Sequence, residues 1–488
     1  MENQDKKPNI IAIIGAIVLL VLAVVGLSYA FFSAFIKNGE TDPSIEGTGA
    51  NLSLVYTDGK SVITSSNIMP GWSATKTFTV TNNGEADTYY KLNISNITNE
   101  FVEGWLTFSI ASADGGTSVA EQAVGTTTRT ISPSITIAEG ATHTYTITAK
   151  YVNLDKDQTP DLGKSFSYTI GIEASQKPTF KDIILANNEV KTPITTPGAA
   201  VSTSSEALLA SAEDDYGTSY YFRGAVTNNY VEFANKCWRI VRIGGDNTAK
   251  LILHNDNISN ASNPCSSANN STTAAFVHYD GNIYKSEFNS NYNDNAYVGF
   301  MYGTPGSTTY EATHANTNKS TILTNLETWY NNNLKTYESV IDNNVFCNDK
   351  SLSSGSGYSA NATDYAARER LYTSKIPSLK CNGELSKITS KIGLITADEL
   401  AFAGYAVRGY ITTSYLKENA TGYSWWSLSP AGFYNKSLSY VFRVRSDNDA
   451  IDICNVNVDS SVRPVISLVS SITISGVSGT SEDPYVVK

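Results

Sequence analysis

The chain has 488 residues, which is long enough for two or three domains with a sizeable core in each. Charged residues make up 17 % and aromatic residues 11 %, a composition that argues against a disordered chain. The 35 Lys and Arg residues are outnumbered by 46 Asp and Glu, giving a net charge of −11. A nucleic-acid-binding protein normally carries a basic face, so no nucleic-acid partner is predicted.

Residues 10–36 form an uncharged and largely apolar run, with two lysines just before it and one just after it. As a helix this run is roughly 40 Å long, enough to span a hydrocarbon core of about 30 Å. The paired lysines favour a cytoplasmic position for residues 1–9 and export of the rest of the chain. Two interpretations stay open: an uncleaved transmembrane helix that anchors the protein in the cell membrane, and a signal peptide that is cut after Ala30, where small residues occupy positions 28 and 30.

The cysteines are compatible with export. All five lie in the second half of the chain, and no pair has the Cys-x-x-Cys spacing of thiolate zinc sites or redox motifs. Proximity along the chain pairs Cys237 with Cys265 and Cys347 with Cys381, which leaves Cys454 as an odd thiol. The alternative is that all five are buried in reduced form as small hydrophobic residues.

Residues 45–176 read as short strands separated by turns. Polar and apolar residues alternate over 76–81, Asn-Asn-Gly at 82–84 marks a turn, and the alternation recurs at 143–148 and 166–172. Thr, Val, Ile and Tyr dominate these stretches, as is typical of half-buried strands. The pattern predicts an antiparallel β-sandwich.

Four segments of this half carry a resemblance. They are Tyr-Ala-Phe-Phe at 29–32, the run with Met-Pro-Gly-Trp and Asn-Asn-Gly at 68–84, and the later segments 140–145 and 163–166. Together they resemble the TasA/camelysin family of exported matrix proteins. The resemblance implies a jelly-roll-like sandwich, export through a dedicated signal peptidase and, as in some members, self-assembly into extracellular fibres.

Camelysin-like relatives have been called metallopeptidases, but the residues do not support that activity here. The chain has no His-Glu-x-x-His motif, and its four histidines are scattered: His143, His254, His278 and His314. We expect His143 to be an ordinary surface residue on a strand. No metal and no cofactor are predicted.

Residues 177–205 contain three prolines and a Ser/Thr run, which predicts a linker with a short turn of helix at 182–186. Beyond it, residues 206–488 mix strand and helix patterns. Residues 237–243 alternate as a half-buried strand, 321–337 have helical spacing, and 395–404 read as a strand end, a Thr cap, a short helix and a Gly stop. The second half is therefore predicted to be an α+β domain.

Four motifs in this half carry a second resemblance. They are Cys-Trp-Arg-Ile-Val at 237–241, Leu-Ile-Thr-Ala-Asp-Glu-Leu at 394–400, Trp-Trp-x-x-Ser-Pro at 425–430 and Val-Arg-Pro-Val at 462–465. They are similar to a bacterial domain of unknown function that is related to the C-type-lectin and formylglycine-generating-enzyme folds. The resemblance implies a C-type-lectin-like α+β domain. We assign the Trp-Trp pair and the Arg-Pro pair to holding this fold, where a buried Arg463 would need a carboxylate or carbonyls.

In ligand-binding relatives, the strands between the Trp-Trp and Val-Arg-Pro motifs display the binding surface, which corresponds to residues 432–458 here. The alternative for this region is a solvated β-meander without a ligand. The candidate ligand-binding residues that mix charge and aromatic character in it are Tyr434, Asn435, Arg443, Arg445, Asp447, Asp449 and Asp452.

Enzyme chemistry is not predicted. Oxidases of the formylglycine-generating group need two closely spaced cysteines for copper, and Cys454 stands alone in its region. No Gly-x-Ser-x-Gly motif accompanies the few histidines. Asp155, Asp157 and Asp161 begin like a calcium loop, but Pro160 and Phe166 occupy the positions of its Gly and bidentate Glu.

These patterns lead to three functional hypotheses. The first is a membrane-anchored bacterial cell-surface protein, with a β-sandwich stalk and an adhesive head that binds an extracellular protein or glycan. The second is a secreted matrix or fibre subunit, freed by cleavage at Ala30. The third, an enzyme on the formylglycine-generating-like fold, needs a metal or a reactive Cys454.

Overall fold

The structure is a computed structural model that describes residues 54–58, 68–84, 87–175, 178–409, 413–434, 437–472, 474–475 and 478–487. The predicted membrane segment at 10–36 and the candidate cleavage site at Ala30 lie outside these residues. Among the described residues, none of the helices has the length and apolar character needed to cross a membrane. The chain divides into two compact units, with the boundary between Pro178 and Thr179.

The first unit is built from antiparallel strands. Their bounds are β1 (Leu54–Asp58), β2 (Ser73–Asn82), β3 (Thr88–Asn99), β4 (Leu106–Ser112), β5 (Val119–Ala123), β6 (Arg129–Ile137), β7 (Thr142–Tyr151) and β8 (Phe166–Ser175). One sheet has the order β1-β2-β7-β4-β5 and the other the order β6-β3-β8. Side chains from both sheets, such as Phe78 on β2 and Leu92 on β3, form one hydrophobic core. The predicted β-rich architecture is confirmed for this unit.

His143 is not the surface residue that we expected. Its position on β7 shares the inward phase of Tyr145 and Ile147, and only 5 % of the residue is exposed. Its Nδ1 atom lies 2.8 Å from the Tyr90 hydroxyl, which lies 2.6 Å from the hydroxyl of Tyr145. Burial lowers the pKa of His143, although Asp114 opposes this shift. The strand alternation, rather than the polarity of the residue, decides on which face it lies.

The segment predicted as a linker packs into the second unit. Helix α1 (Phe180–Asn187) begins with a capping box, in which Thr179 accepts from the Asp182 amide and Asp182 accepts in return. Phe180 and Ile184 belong to the core of the second unit. The helix is longer than the turn predicted at 182–186, because these apolar side chains find a buried surface.

The second unit is also β-rich, with short helices. The strands of its first large sheet are β9 (Ala207–Asp214), β10 (Gly217–Gly224), β11 (Tyr230–Phe233), β12 (Lys236–Ile243), β13 (Ala249–Asn255), β27 (Val465–Leu468), β28 (Ile474–Ser475) and β29 (Tyr485–Val487). This sheet has the order β27-β13-β12-β11-β29-β28, with β10 pairing with β12 and β9 with β10.

The strands of the second large sheet are β16 (Lys285–Ser286), β20 (Leu352–Gly355), β21 (Thr363–Tyr365), β23 (Trp425–Tyr434), β24 (Leu438–Val444), β25 (Ile451–Asn455) and β26 (Ser460–Ser461). This sheet has the order β16-β26-β23-β21-β20, and β24 pairs with both β23 and β25. Small two-stranded ladders add β14 (His278–Tyr279), β15 (Asn282–Ile283), β17 (Met301–Tyr302), β18 (Asn318–Lys319), β19 (Asn344–Cys347) and β22 (Lys387–Ser390).

Capping residues in the sequence mark where two of the helices of this unit begin. They are α2 (Tyr310–Thr313), α3 (Thr321–Asn333), α4 (Ala366–Arg368), which runs into a π-helical turn at Glu369–Ser374, and α5 (Ala397–Phe402). Ser320 caps α3, which buries Leu323 and Leu326. It ends at Asn333, and a 3₁₀ turn covers the end of the predicted stretch 321–337. Thr396 and Glu399 form the predicted capping box of α5.

Candidate functional site

The described ranges include all five cysteines, and these form two disulfides. Cys237 bonds to Cys265 with an S–S distance of 2.01 Å, and Cys347 bonds to Cys381 with 2.13 Å. Cys454 is free and partly exposed. The pairing predicted from chain proximity is confirmed. Two disulfides fit an extracellular protein, because cytosolic thiols are normally kept reduced.

The predicted display region is an antiparallel meander. Strand β24 pairs with β23 on one side and with β25 on the other, and Arg443 lies opposite Asp452. The outer strand β25 presents partly exposed residues from Asp452 to Asn455. The inward side chains of these strands, such as Trp426 on β23 and Phe442 on β24, are fully buried in the hydrophobic core of the second unit. The scaffold therefore holds the polar side chains of the meander on ordered backbone.

Tyr434 anchors one end of a polar surface. Its hydroxyl donates to Oδ1 of Asp364 at 2.6 Å. The same carboxylate pairs at 3.0 Å with Arg368, which lies four residues further along the chain. The guanidinium of Arg368 lies 5.4 Å from the ring centroid of Tyr434 and 5.5 Å from that of Tyr372. Arg368 thus connects the two tyrosines.

Asp452 holds together the other end of this polar surface. It accepts a 2.6 Å hydrogen bond from the Tyr372 hydroxyl and pairs with Arg445 at 3.2 Å and Arg408 at 3.5 Å. The guanidinium of Arg408 lies 3.9 Å from the ring centroid of Tyr372, and Arg445 also pairs with Asp447. Burial would raise the pKa of Asp452, but the Tyr372 hydroxyl, a backbone amide and the arginines outweigh it and lower the pKa. The carboxylate is therefore ionised at neutral pH.

Together these contacts define a continuous surface, which we call the Tyr–Arg face. Its members are Asp364, Arg368, Tyr372, Arg408, Tyr434, Arg445, Asp447 and Asp452. The three arginines balance the three aspartates, so the face has no net charge. Side-chain exposure is 54 % for Arg408, 41 % for Arg445 and 58 % for Asp447, so donors and acceptors reach solvent.

The structure brings together some of the predicted residues and not others. Tyr434, Arg445, Asp447 and Asp452 belong to the Tyr–Arg face. Arg443 instead donates to Ser460 at 3.2 Å. Asp449, at a φ of +50°, pairs with Lys417 at 2.9 Å. Asn435 lies outside the described residues.

Sequence reasoning missed four members of the face: Asp364, Arg368, Tyr372 and Arg408. The first three follow one another at intervals of four residues, which is the spacing of neighbours on a helix. That spacing was a usable signal for a shared surface. Arg408 has no such signal, because its side chain arrives from a turn in which the residue has a φ of +54°.

The residues assigned to holding the fold are buried. Trp425 and Trp426 are fully buried, and the Trp426 indole donates to the Ser286 carbonyl at 2.7 Å. Arg463 is bound by carbonyls rather than by a carboxylate, as described below. In the part of the chain that the structure describes, no group of three or more His, Cys, Asp or Glu side chains is arranged to hold a metal ion.

No protein-family model and no curated protein matches the chain. Among solved structures, it has a remote similarity to the crystal structure of Spo0M, a sporulation control protein from Bacillus subtilis. The two chains are 11 % identical over 43 % of this chain and 76 % of that chain, with a TM-score of 0.13. A score this low supports no conclusion about fold or function.

Proposed function

We propose that this chain is an exported bacterial surface protein whose second unit binds an uncharged, polyhydroxylated ligand, such as an extracellular glycan, through the Tyr–Arg face. In this proposal the second unit is the C-type-lectin-like head, the first unit is a TasA-like stalk, and residues 10–36 anchor the chain in the cell membrane. The observation that carries the proposal is the Tyr–Arg face: exposed, charge-balanced and continuous.

The balance of charge favours a neutral ligand. A polyanion would meet three aspartates and a polycation three arginines, and each would be repelled by as many groups as attract it. A hydroxyl group both donates and accepts, so it can bridge an Arg–Asp pair without leaving either charge unpaired. The rings of Tyr372 and Tyr434 lie against Arg408 and Arg368, so they orient the guanidinium groups that would donate to ligand hydroxyls.

The face is also held in place before a ligand arrives. Asp452 is fixed by the hydroxyl of Tyr372, and Asp364 is fixed by Arg368 and Tyr434. Side chains that are already ordered lose little conformational entropy on binding. The disulfides support the extracellular location that such a ligand requires.

The location is tested by fractionating cells and determining the N-terminus of the protein. We expect a chain that begins at Met1 in the membrane fraction, with four oxidised cysteines and one free thiol by mass spectrometry. A chain that begins at Phe31 in the medium would instead favour the secreted matrix subunit. A chain in the cytoplasm with five reduced cysteines would contradict export.

Binding is tested with the detergent-extracted full chain on an array of bacterial and host glycans. We expect the double variant Arg408→Ala, Arg445→Ala to lose at least tenfold in affinity. Each hydrogen bond to a charged group contributes about 1.5–3 kcal/mol when its partner is buried by a ligand, and about 1.4 kcal/mol corresponds to tenfold.

The matched control is Lys319→Ala, Lys335→Ala, which also removes two exposed cations that pair with carboxylates, here Glu327 and Glu338. This variant should bind as the wild type does. Equal binding by both double variants would show that the ligand is held elsewhere, and an equal loss would point to a general effect of charge.

A further inference from the structure

Two arginines, Arg239 and Arg463, are buried near each other in the second unit, and Arg463 belongs to the Arg-Pro pair singled out in the sequence. Arg239 and Arg463 are both fully buried. Arg239 has a complete set of partners: Asn229 Oδ1 at 2.7 Å, the Val226 carbonyl at 2.6 Å and a carboxylate oxygen of Glu418 at 2.8 Å. Its charge is therefore compensated by a carboxylate.

Arg463, in contrast to Arg239, lacks a paired carboxylate among the described residues. Its Nε donates to the Leu253 carbonyl at 2.8 Å and one terminal nitrogen, Nη1, donates to the Leu416 carbonyl at 2.6 Å. Among the described residues, no carboxylate pairs with it, and its other terminal nitrogen, Nη2, is buried without a hydrogen-bond partner. Burial lowers the pKa of Arg463 to about 10, so the side chain is still charged at neutral pH. A buried charge without a counter-charge costs several kcal/mol.

Two other buried hydrogen-bond donors in this region, on Tyr415 and Trp425, also lack partners among the described residues. The Tyr415 hydroxyl is buried and lacks a partner among the described residues, and Tyr415 adjoins Leu416, whose carbonyl binds Arg463. The guanidinium of Arg239 lies 5.1 Å from the Tyr415 ring centroid. The guanidinium of Arg463 lies 5.1 Å from the ring centroid of Trp425, whose indole Nε1 is likewise buried without a partner in the described part of the chain.

The neighbouring titratable groups do not supply the missing negative charge. Burial raises the pKa of Tyr415 and of Tyr405, so both are neutral phenols at neutral pH. Burial, together with Arg239 and Arg463, lowers the pKa of His254 far below its ordinary value, so this imidazole is neutral as well. Glu418 pairs with Arg239 and also acts on Arg463, so two guanidinium groups share one carboxylate. Glu399 acts on Tyr415 as well, but it is already paired with Arg242 and Lys250.

We propose that Nη2 of Arg463 and the Tyr415 hydroxyl bind a small monovalent anion, for which chloride is the natural occupant. An anion accepts hydrogen bonds from both donors and compensates the charge of Arg463. A water molecule would accept the same bonds, but it would need acceptors for its own two hydrogens and would leave the charge in place.

This anion site would hold together parts of the chain that are far apart in sequence. Arg463 precedes β27, Tyr415 lies in a short 3₁₀ turn, Trp425 begins β23 and Leu253 lies on β13. A ligand that binds only the folded state stabilises it in proportion to the logarithm of its concentration. We infer that halide ions stabilise the second unit specifically.

The test compares the melting temperature of the full chain in sodium chloride, sodium bromide and sodium gluconate at equal ionic strength. Both halides should raise the melting temperature by roughly 2 °C or more relative to gluconate. Crystals soaked in bromide should give an anomalous peak within hydrogen-bonding distance of Arg463 and Tyr415. Equal melting temperatures in all three salts, or an ordered water with no bromide peak at this position, would overturn the proposal.

The informative variant is Tyr415→Phe, which removes one donor while it keeps the ring and the fold, whereas replacing Arg463 risks unfolding. The Tyr415→Phe substitution should reduce the halide-dependent shift in melting temperature at least by half. Tyr330→Phe is the matched control: the Tyr330 hydroxyl is also buried without a partner in the described residues, but it lies on α3, and Glu338 is the charged group that affects its pKa. An unchanged halide shift in Tyr415→Phe would contradict the site, since a general salt effect needs no Tyr415.

Discussion

Replacing Arg223 by Met is expected to lower the free energy of unfolding of the second unit by about 3–5 kcal/mol. Arg223 and Glu206 are both fully buried and form an ion pair at 3.1 Å. Arg223 also donates to the Ala401 carbonyl at 2.9 Å and to the Thr195 hydroxyl at 2.7 Å. Removing the guanidinium leaves the Glu206 carboxylate buried without its counter-charge, which is the costly step.

The same pair attaches the segment that resembles a linker in sequence. Glu206 accepts from the backbone amides of Ile194 at 2.9 Å and Thr195 at 3.3 Å. We therefore expect the Ile194 and Thr195 amides to exchange with deuterium faster in Arg223→Met than in the wild type, beyond the general loss of stability. Urea unfolding and hydrogen exchange of the full chain measure both effects.

A second variant separates charge from packing. In Arg223→Met, Glu206→Leu the unpaired carboxylate is gone, so part of the lost stability should return. Arg408→Ala, which removes an exposed arginine of the same unit, serves as the control and should leave urea unfolding nearly unchanged. Equal destabilisation of the single and double Arg223 variants would show that packing, rather than the buried charge, carries the effect.

The second large effect is expected in acid, at Glu399. One oxygen of this buried carboxylate lies 2.6 Å from the ammonium of Lys250 and 3.0 Å from Nε of Arg242, and the other oxygen accepts from the Thr396 amide at 3.0 Å. Burial by itself would raise the pKa of Glu399, but the two cations and the hydrogen bonds outweigh it and lower the pKa to about 2.

The direction of the pH dependence follows from this shift. The pKa of Glu399 is lower in the folded chain than its ordinary value of 4.5, so the carboxylate stabilises the fold fully above about pH 4.5. This contribution is lost as the pH falls from there towards 2. It amounts to something on the order of 3 kcal/mol, because each unit of pKa shift corresponds to about 1.4 kcal/mol.

Glu399→Gln tests this contribution, since the amide keeps the shape and an acceptor for the Thr396 amide but not the charge. Urea unfolding followed by Trp fluorescence should show a large loss of stability relative to the wild type at pH 7, and the two proteins should converge near pH 2. Glu338→Gln changes an exposed carboxylate, so it should follow the wild type at every pH. A difference between Glu399→Gln and the wild type that persists unchanged at pH 2 would refute the assignment.

Local sequence patterns anticipated several parts of the structure. Alternation predicts that Phe78 and Val80 share the inner face of a strand, and both are buried. The Thr396 and Glu399 spacing predicts a capping box, which the structure contains. Cysteines close in the chain are paired as predicted. In each case the interacting residues lie on one element or are close in the chain, so a short stretch of sequence contains most of the information.

The linker and His143 show the limit of such patterns. The prolines and the Ser/Thr run of 177–205 predict a linker, but they do not indicate whether its backbone is tied down. That depends on Arg223, which reaches back to this segment from β10. The strand phase of His143 places it on the inner face with Tyr145, whereas its polarity alone suggests the surface.

By itself, the sequence indicated that the chain is β-rich and favoured pairing of cysteines that are close in the chain, and it left open whether residues 432–458 display a ligand site or form a solvated meander. The tertiary structure alone decided which polar side chains share a surface. Tyr372 and Asp452 meet 80 positions apart, and Arg463 is bound by a carbonyl 210 positions away. Such pairs depend on strand register and on the course of the loops between elements, which arise from packing of the whole core and leave no periodic trace in the chain.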